Sequence, residues 1–150
     1  MILQMEVDII LKNQNDMIEW RFPMTDEIRF DKEDGKQIDE SKVIAKIMAY
    51  EEPFRSMGLA IHDIIIDGSP DIHPRVWYGM PGYARSKNQP VMLFFRNDAQ
   101  YMTLGYTEKV GFHLDEESEH RMMPCAWFFK ELDDATRTKI YDIAIKALGD

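Results

Sequence analysis

The chain has 150 residues, of which 45% are hydrophobic and 30% are charged, as in a soluble globular protein with one main core. Its formal net charge of −9 argues against a nucleic-acid-binding protein, because neutralising phosphates requires clustered Lys and Arg, and it favours basic partners. The single cysteine, Cys125, excludes an internal disulfide and favours a reducing compartment, so we expect a cytoplasmic protein.

The N-terminal part of the chain predicts an extension rather than a targeting segment. Its first eleven residues are apolar but include Glu6 and Asp8 and have no basic flank, so they resemble neither a signal peptide nor a membrane span. Composition changes abruptly at Met24, which is an alternative start that would make residues 1–23 an upstream extension. Residues 24–40 are acid-rich and predict a solvated arm. We therefore expect an extension and arm at residues 1–39 and a folded domain at residues 40–150.

Two helices are predicted next. The first is capped by Asp39 or Ser41 and ends near Tyr50, with its apolar residues on one face. The second begins at Pro53 and ends at Gly68 to Pro70, and it is the main buried helix. Its apolar residues at helical spacing are Phe54, Met57, Ile61, Ile64 and Ile65.

The remaining pattern predicts strands and a closing helix. Residues 76–78, 91–95, 100–106 and 122–129 are short aromatic, β-branched and Met-rich runs, and a brief turn or helix is expected within 108–120. Short connections favour an antiparallel meander of about four to six strands. The last helix is capped by Asp133 or Asp134. These elements predict an α+β two-layer sandwich, with the sheet covered on one face by N-terminal and C-terminal helices and partly open on the other.

The block Trp77-Tyr78-Gly79-Met80-Pro81-Gly82-Tyr83 is the most informative stretch, because its glycines and proline predict a bend that leaves large rings lining a concavity. Together with Glu52-Pro53-Phe54-Arg55, residues 91–95, Leu104-Gly105-Tyr106 and residues 123–128, it resembles the YdhG-like family of bacterial domains of unknown function. The resemblance covers roughly residues 40–150. It implies a compact sandwich with a frataxin-like outline, no agreed catalytic residues, and iron as a bound metal, since one relative has been proposed as a frataxin-like iron chaperone.

The aromatic block also supplies candidate ligand-binding residues. One interpretation is that the rings fill the core beneath the helices. The other is that alternate members, Trp77 and Tyr83, line an apolar cleft on the uncovered sheet face, where a small apolar ligand or a partner helix would bind. The candidate ligand-binding residues are Trp77, Tyr78, Met80, Tyr83 and Trp127.

Acidic residues supply the candidate metal ligands Asp115, Glu116, Glu117 and Glu119. Carboxylate oxygens suit a hard cation such as iron, although runs of this kind also serve simply as solvated faces. His113, His120 and Cys125 match no zinc spacing, and we expect Cys125 to be a small buried side chain. His62 and His73 have no obvious partner in the sequence.

No catalytic signature accompanies these residues. The chain contains no Gly-x-Ser-x-Gly, no Gly-Lys-Ser or Gly-Lys-Thr, and no Gly-x-Gly-x-x-Gly. We therefore expect a non-enzymatic cytoplasmic accessory protein that binds a small ligand or a metal, with an iron-chaperone-like role as its most specific form, and with no membrane or nucleic-acid partner. The alternative is a protein-interaction module that uses an open aromatic sheet face to bind a basic protein partner or a second copy of itself.

Overall fold

A computed structural model describes residues 32–111 and 117–149. The chain divides into two compact units, Met1–Gln37 and Ile38–Asp150. The predicted start at Met24 and the first part of the acidic arm lie outside the described residues. The described elements are α1 (Lys32–Met48), α2 (Phe54–Gly68), β1 (His73–Trp77), β2 (Met80–Ala84), β3 (Val91–Asn97), β4 (Met102–Tyr106), a short 3-10 helix (Glu108–Val110), β5 (Ala126–Phe129) and α3 (Asp134–Leu148).

The strands form a five-stranded sheet in the order β1-β2-β3-β4-β5, and every neighbouring pair is antiparallel. This arrangement confirms the predicted meander and the α+β class. Within residues 32–111 and 117–149, no helix combines the length and the apolar character needed to cross a membrane.

Strand β2 was missing from the sequence prediction, because Pro81 and Gly82 argue against a strand inside a sheet. The structure shows why both are accepted there. Pro81 pairs with Val76 of β1, and the ladder to β3 begins only at Gly82, so no donor is lost from that ladder. The two-residue turn Tyr78-Gly79 has positive φ values of 50° and 78°, as expected for the tight turn of a hairpin whose strands twist normally.

Helix α1 corrects the prediction of a solvated arm that reaches residue 40. The helix begins at Lys32, so residues 32–40 are helical and neither Asp39 nor Ser41 caps it. The start of this helix was not predicted, because its first half is almost entirely polar. It therefore lacks the periodic apolar residues from which helices are recognised. Asp39, which the sequence assigned to the arm, belongs to the second unit.

The helices pack against one face of the sheet. Alternate strand residues point to this face and are fully buried, among them Tyr83, Leu93, Phe95 and Leu104. The predicted stripe of α3 is confirmed, since its apolar members are buried against this layer. The helical side chains of the core are Val43, Ile47, Met57, Ile61, Ile65, Ile140, Ile143, Ala144, Ala147 and Leu148. Burial of each large apolar side chain contributes about 1.5–3 kcal/mol, so this layer dominates the stability of the fold.

Two buried histidines hold α1 against the rest of this layer, although the sequence suggested no partner for either. His62 of α2 has one ring nitrogen 2.7 Å from the Glu40 carboxylate and the other 2.7 Å from the Tyr83 hydroxyl. His73 of β1 lies 2.7 Å from the Asp39 carboxylate. Because Asp39 and Glu40 are consecutive on α1, one turn of that helix is attached to both α2 and the sheet.

The Glu40 carboxylate determines where one hydrogen of this network lies. A carboxylate only accepts, so Nε2 of His62 carries a hydrogen toward Glu40. Burial raises the pKa of Tyr83 well above its usual range, and its hydroxyl lies 2.7 Å from the other ring nitrogen of His62, Nδ1. Every polar atom of the His62 ring is therefore satisfied although the side chain is buried.

We predict that Tyr83→Phe destabilises the protein by about 1–3 kcal/mol, because it leaves a buried His62 nitrogen without its hydrogen-bond partner. Urea unfolding followed by circular dichroism measures this loss. Tyr78→Phe is the matched control, since the Tyr78 side chain is 84% exposed, and it should change the free energy of unfolding by less than about 0.5 kcal/mol. Equal stabilities of the two variants would contradict a structural role for the network.

Candidate functional site

The face of the sheet that packs against the helices is here called the helical side, and the opposite face is called the open face. The open face has an unusual row of residues. Reading across the strands in register, the row runs Arg75, Gly82, Phe94, Gly105 and Ala126. Phe94 is therefore the one large apolar side chain of the row, and both of its cross-strand neighbours are glycine. Cross-strand neighbours normally pack side chain against side chain, so the two glycines leave space on either side of the Phe94 ring.

The ring of Phe94 fills the space on the β4 side. A β-carbon added to Gly105 would lie 2.7 Å from Phe94 Cζ and 2.9 Å from Phe94 Cε1, which is closer than carbon atoms approach one another. The end of the ring therefore lies directly over the backbone of Gly105 in β4. Glycine at position 105 is the condition for this orientation.

Gly82 likewise leaves room for Trp77. A β-carbon at Gly82 would lie 2.8 Å from Trp77 Cβ, so only glycine lets β1 bring the indole across this part of the sheet. The Trp77 and Phe94 rings are then neighbours, with centroids 5.3 Å apart and planes inclined by 40°. Together they form a continuous aromatic floor over β1 to β4.

This floor forms one side of a cavity of about 420 Å³, here called the aromatic groove. Its volume lies in the range of small-molecule sites, which is about 300–1,000 Å³. Tyr106 is another wall residue, and its partial burial raises the pKa of its hydroxyl. The residues that define the groove are Trp77, Phe94, Thr107, Glu108, Met123 and Cys125.

Tyr78 lies beside the aromatic groove at the tip of the β1–β2 hairpin. Its side chain is 84% exposed and contacts Trp77 edge-on, with ring centroids 4.7 Å apart. Its φ of 50° is a left-handed conformation that costs a residue with a β-carbon roughly 1–2 kcal/mol. Asn or Gly would meet the requirement of the turn at lower cost, and strain of this kind is concentrated at functional sites.

Charged side chains of the open face form hydrogen bonds outside the groove. Arg75 donates to the backbone oxygens of Lys87 and Gln89, which fastens the loop between β2 and β3. At the far end of the face, Asp98 accepts hydrogen bonds from Arg96 and from the Thr103 hydroxyl. Apart from Glu108 at the rim, the groove itself therefore has an apolar and weakly polar lining.

The structure separates the predicted ligand-binding residues. Trp77 lines the groove, Met80 is its cross-strand partner on the open face, and Tyr78 lies at the adjoining turn. The expectation that Tyr83 shares this face with Trp77 is wrong, because Tyr83 is fully buried on the helical side. Trp127 also points to the helical side, where it is half-buried and contacts Tyr106 with ring centroids 5.2 Å apart.

The predicted metal ligands do not form a site within the described residues. Asp115 and Glu116 lie outside them, and Glu117 and Glu119 are exposed. In residues 32–111 and 117–149, no three His, Cys, Asp or Glu side chains come together to hold a metal ion. Cys125, expected to be buried, is exposed and lines the groove.

Phe94 and Gly105 are the site residues that sequence reasoning did not select. The signal was present in the alternation of the run Val91-Met92-Leu93-Phe94-Phe95, which places Phe94 opposite the buried Leu93 and Phe95. What the sequence lacked was the register, which alone puts Gly82 and Gly105 on the two sides of Phe94.

Comparison with known proteins leaves the site to be interpreted from its own geometry. The chain matches no family model, no curated protein and no solved structure. The YdhG-like resemblance and the frataxin-like outline therefore stay predictions.

We predict that Gly105→Ala destabilises the protein by about 1–3 kcal/mol, because the new methyl group forces the Phe94 ring off the strand. In a Phe94→Ala background the same change should cost much less, since the remaining close contact is with the Cys125 backbone oxygen at 3.3 Å. Gly68→Ala is the control, since a β-carbon there makes only ordinary contacts of 3.5 Å with Ile145 and Tyr141. Chemical unfolding of the four members of the double-mutant cycle measures the coupling, and additive effects would mean that the ring does not lie over Gly105.

Proposed function

We propose that the protein is a non-enzymatic binding protein whose aromatic groove binds a small, flat, apolar ligand. The observation that carries this proposal is the position of the Phe94 ring, whose end lies over Gly105 and which is next to Trp77. A core aromatic needs no such space, because it packs against other side chains. Both rings line the cavity, which suits stacking with another planar group.

The charge of the groove narrows the ligand class. Glu108 is its one ionised rim residue within the described part of the chain, and the whole chain has a net charge of −9. The faces of Trp77 and Phe94 also attract cations. The ligand we propose is therefore an aromatic molecule that is neutral or carries a positive charge.

The groove does not suggest catalysis. Cys125 is its one thiol, and no histidine from residues 32–111 or 117–149 lines the groove to act as a base. Because the described residues bring no metal ligands together, an iron-chaperone role is not part of the proposal. The cytoplasmic location that we propose rests on the single unpaired cysteine.

The test uses Cys125 as a reporter, because it is the single thiol of the chain and lines the groove. The protein is treated with iodoacetamide with and without naphthalene-1-methanol or 1-naphthylmethylamine, and the alkylated fraction is measured by intact mass. Both probes should slow alkylation, by about tenfold at ten times the Kd, because a bound ring covers the sulfur.

Two variants separate groove binding from general hydrophobic association. Phe94→Ala removes the floor and should abolish the protection. Phe128→Ala removes a more exposed ring of the same face that does not line the groove, and it should leave the protection intact. Alkylation that is unaffected by saturating probe, or equal losses in the two variants, would contradict the proposal.

A second candidate function is a protein-interaction module, which for this chain includes a homodimer. It is favoured by the exposed side chains Phe128 and Met122, which are 69% and 74% accessible, and by β5, which is the last strand of the sheet. An apolar edge strand of this kind pairs readily with another chain. If it forms a homodimer, light scattering after size exclusion should give twice the mass of the chain, and Phe128→Asp should return the monomer. A monomer at all concentrations would eliminate the homodimer.

A further inference from the structure

A second cavity, separate from the proposed function, lies between α3 and the segment that leads into β5. Its volume is about 430 Å³, and we call it the lysine cavity. Its apolar wall includes Met122, Pro124, Trp127 and Ile143, and Lys139 and Lys146 of α3 line it as well. Apolar walls with a few converging polar groups are typical of small-molecule sites.

Two lysines and one aspartate of α3 line the cavity, which leaves positive charge in excess on this wall. The lysines are seven residues apart on α3, so they lie on the same face about 10.5 Å apart along the axis. Asp142 lines the cavity between them, yet neither lysine lies within 4.0 Å of a carboxylate oxygen of a described residue. Two such cations at one apolar cavity are unexpected in a chain whose net charge is −9.

The part of the opposite segment that the structure describes adds hydrogen-bond donors to the cavity. Ser118 and His120 line the cavity, whereas the alternating Glu117 and Glu119 do not. The backbone N–H of Met122 donates to His120 Nδ1 at 3.1 Å, so in the neutral ring the hydrogen is on Nε2. The serine hydroxyl, the imidazole N–H and the two ammonium groups are all donors that suit one anion.

From this arrangement we propose that the lysine cavity binds a small molecule with an apolar body and one carboxylate. The carboxylate lies between Lys139 and Lys146, and the apolar body lies against Trp127 and Met122. This ligand class is opposite in charge to that of the aromatic groove. The two cavities share Tyr106 and Met123 as wall residues, so the test relies on side chains that belong to one cavity alone.

The test compares two probes with the same ring system, 1-naphthylacetate and naphthalene-1-methanol, by isothermal titration calorimetry at low ionic strength. The carboxylate should bind the full-length protein about tenfold more tightly than the alcohol, because each solvent-exposed ion pair contributes a factor of roughly two to five. The difference should shrink as salt is added.

Variants assign the difference to the cavity. Lys139→Gln with Lys146→Gln should remove the preference for the carboxylate, whereas Lys42→Gln with Lys46→Gln makes the same change of net charge on α1 and should retain it. Asp142→Asn should tighten carboxylate binding, because it removes the one acid among residues 32–111 and 117–149 that lines the cavity. Phe94→Ala should leave carboxylate binding unchanged, because Phe94 lines only the aromatic groove.

Four results would overturn the inference. These are no binding of 1-naphthylacetate at millimolar concentration, equal affinities for the two probes, equal losses in the two double-lysine variants, and loss of carboxylate binding in Phe94→Ala. The lysine and aspartate substitutions are at exposed positions, and their effects on unfolding should stay within about 0.5 kcal/mol, so a loss of binding is not a loss of fold.

Discussion

The alternation of side chains along the strands is the constraint on which the rest of the structure depends. Consecutive residues of β2 have different roles. Tyr83 is buried in the core and forms a hydrogen bond with His62, whereas Gly82 lies on the open face and leaves room for Trp77. A shift of register by one residue would put the tyrosine on the open face and the glycine in the core. One pairing therefore determines both the packing under the helices and the form of the groove.

The two faces obtain their order in different ways. On the helical side, close-packed apolar side chains surround the buried His62 network. Glu40 attaches α1 to His62, and Asp39 attaches it to His73. On the open face, Gly82 and Gly105 have no side chains, and this absence lets Trp77 and Phe94 pack closely against the backbone. The first arrangement stabilises the fold, and the second leaves ring surfaces available for a ligand.

Much of the fold was predictable from the sequence, because apolar periodicity identified α2, α3 and most of the strands. Two elements were not. The start of α1 has no apolar period, and β2 contains residues that ordinarily end a strand. The candidate site was predictable only in part. Composition drew attention to Trp77 and Tyr83, but register and long-range contacts decided that Trp77 is on the open face, that Tyr83 is buried, and that Phe94 replaces it as the partner of Trp77.

The most direct test of the account is the proton NMR spectrum of Gly105. If the Phe94 ring lies over Gly105, the Gly105 α-protons should be shifted upfield by the ring current and show strong nuclear Overhauser contacts to the ring protons. Addition of naphthalene-1-methanol should then move resonances of Gly82, Gly105 and Cys125 while those of the buried residues of α2 stay in place. Gly105 α-protons at ordinary positions with no contact to Phe94 would contradict the central claim, because the ring would then stand away from the sheet.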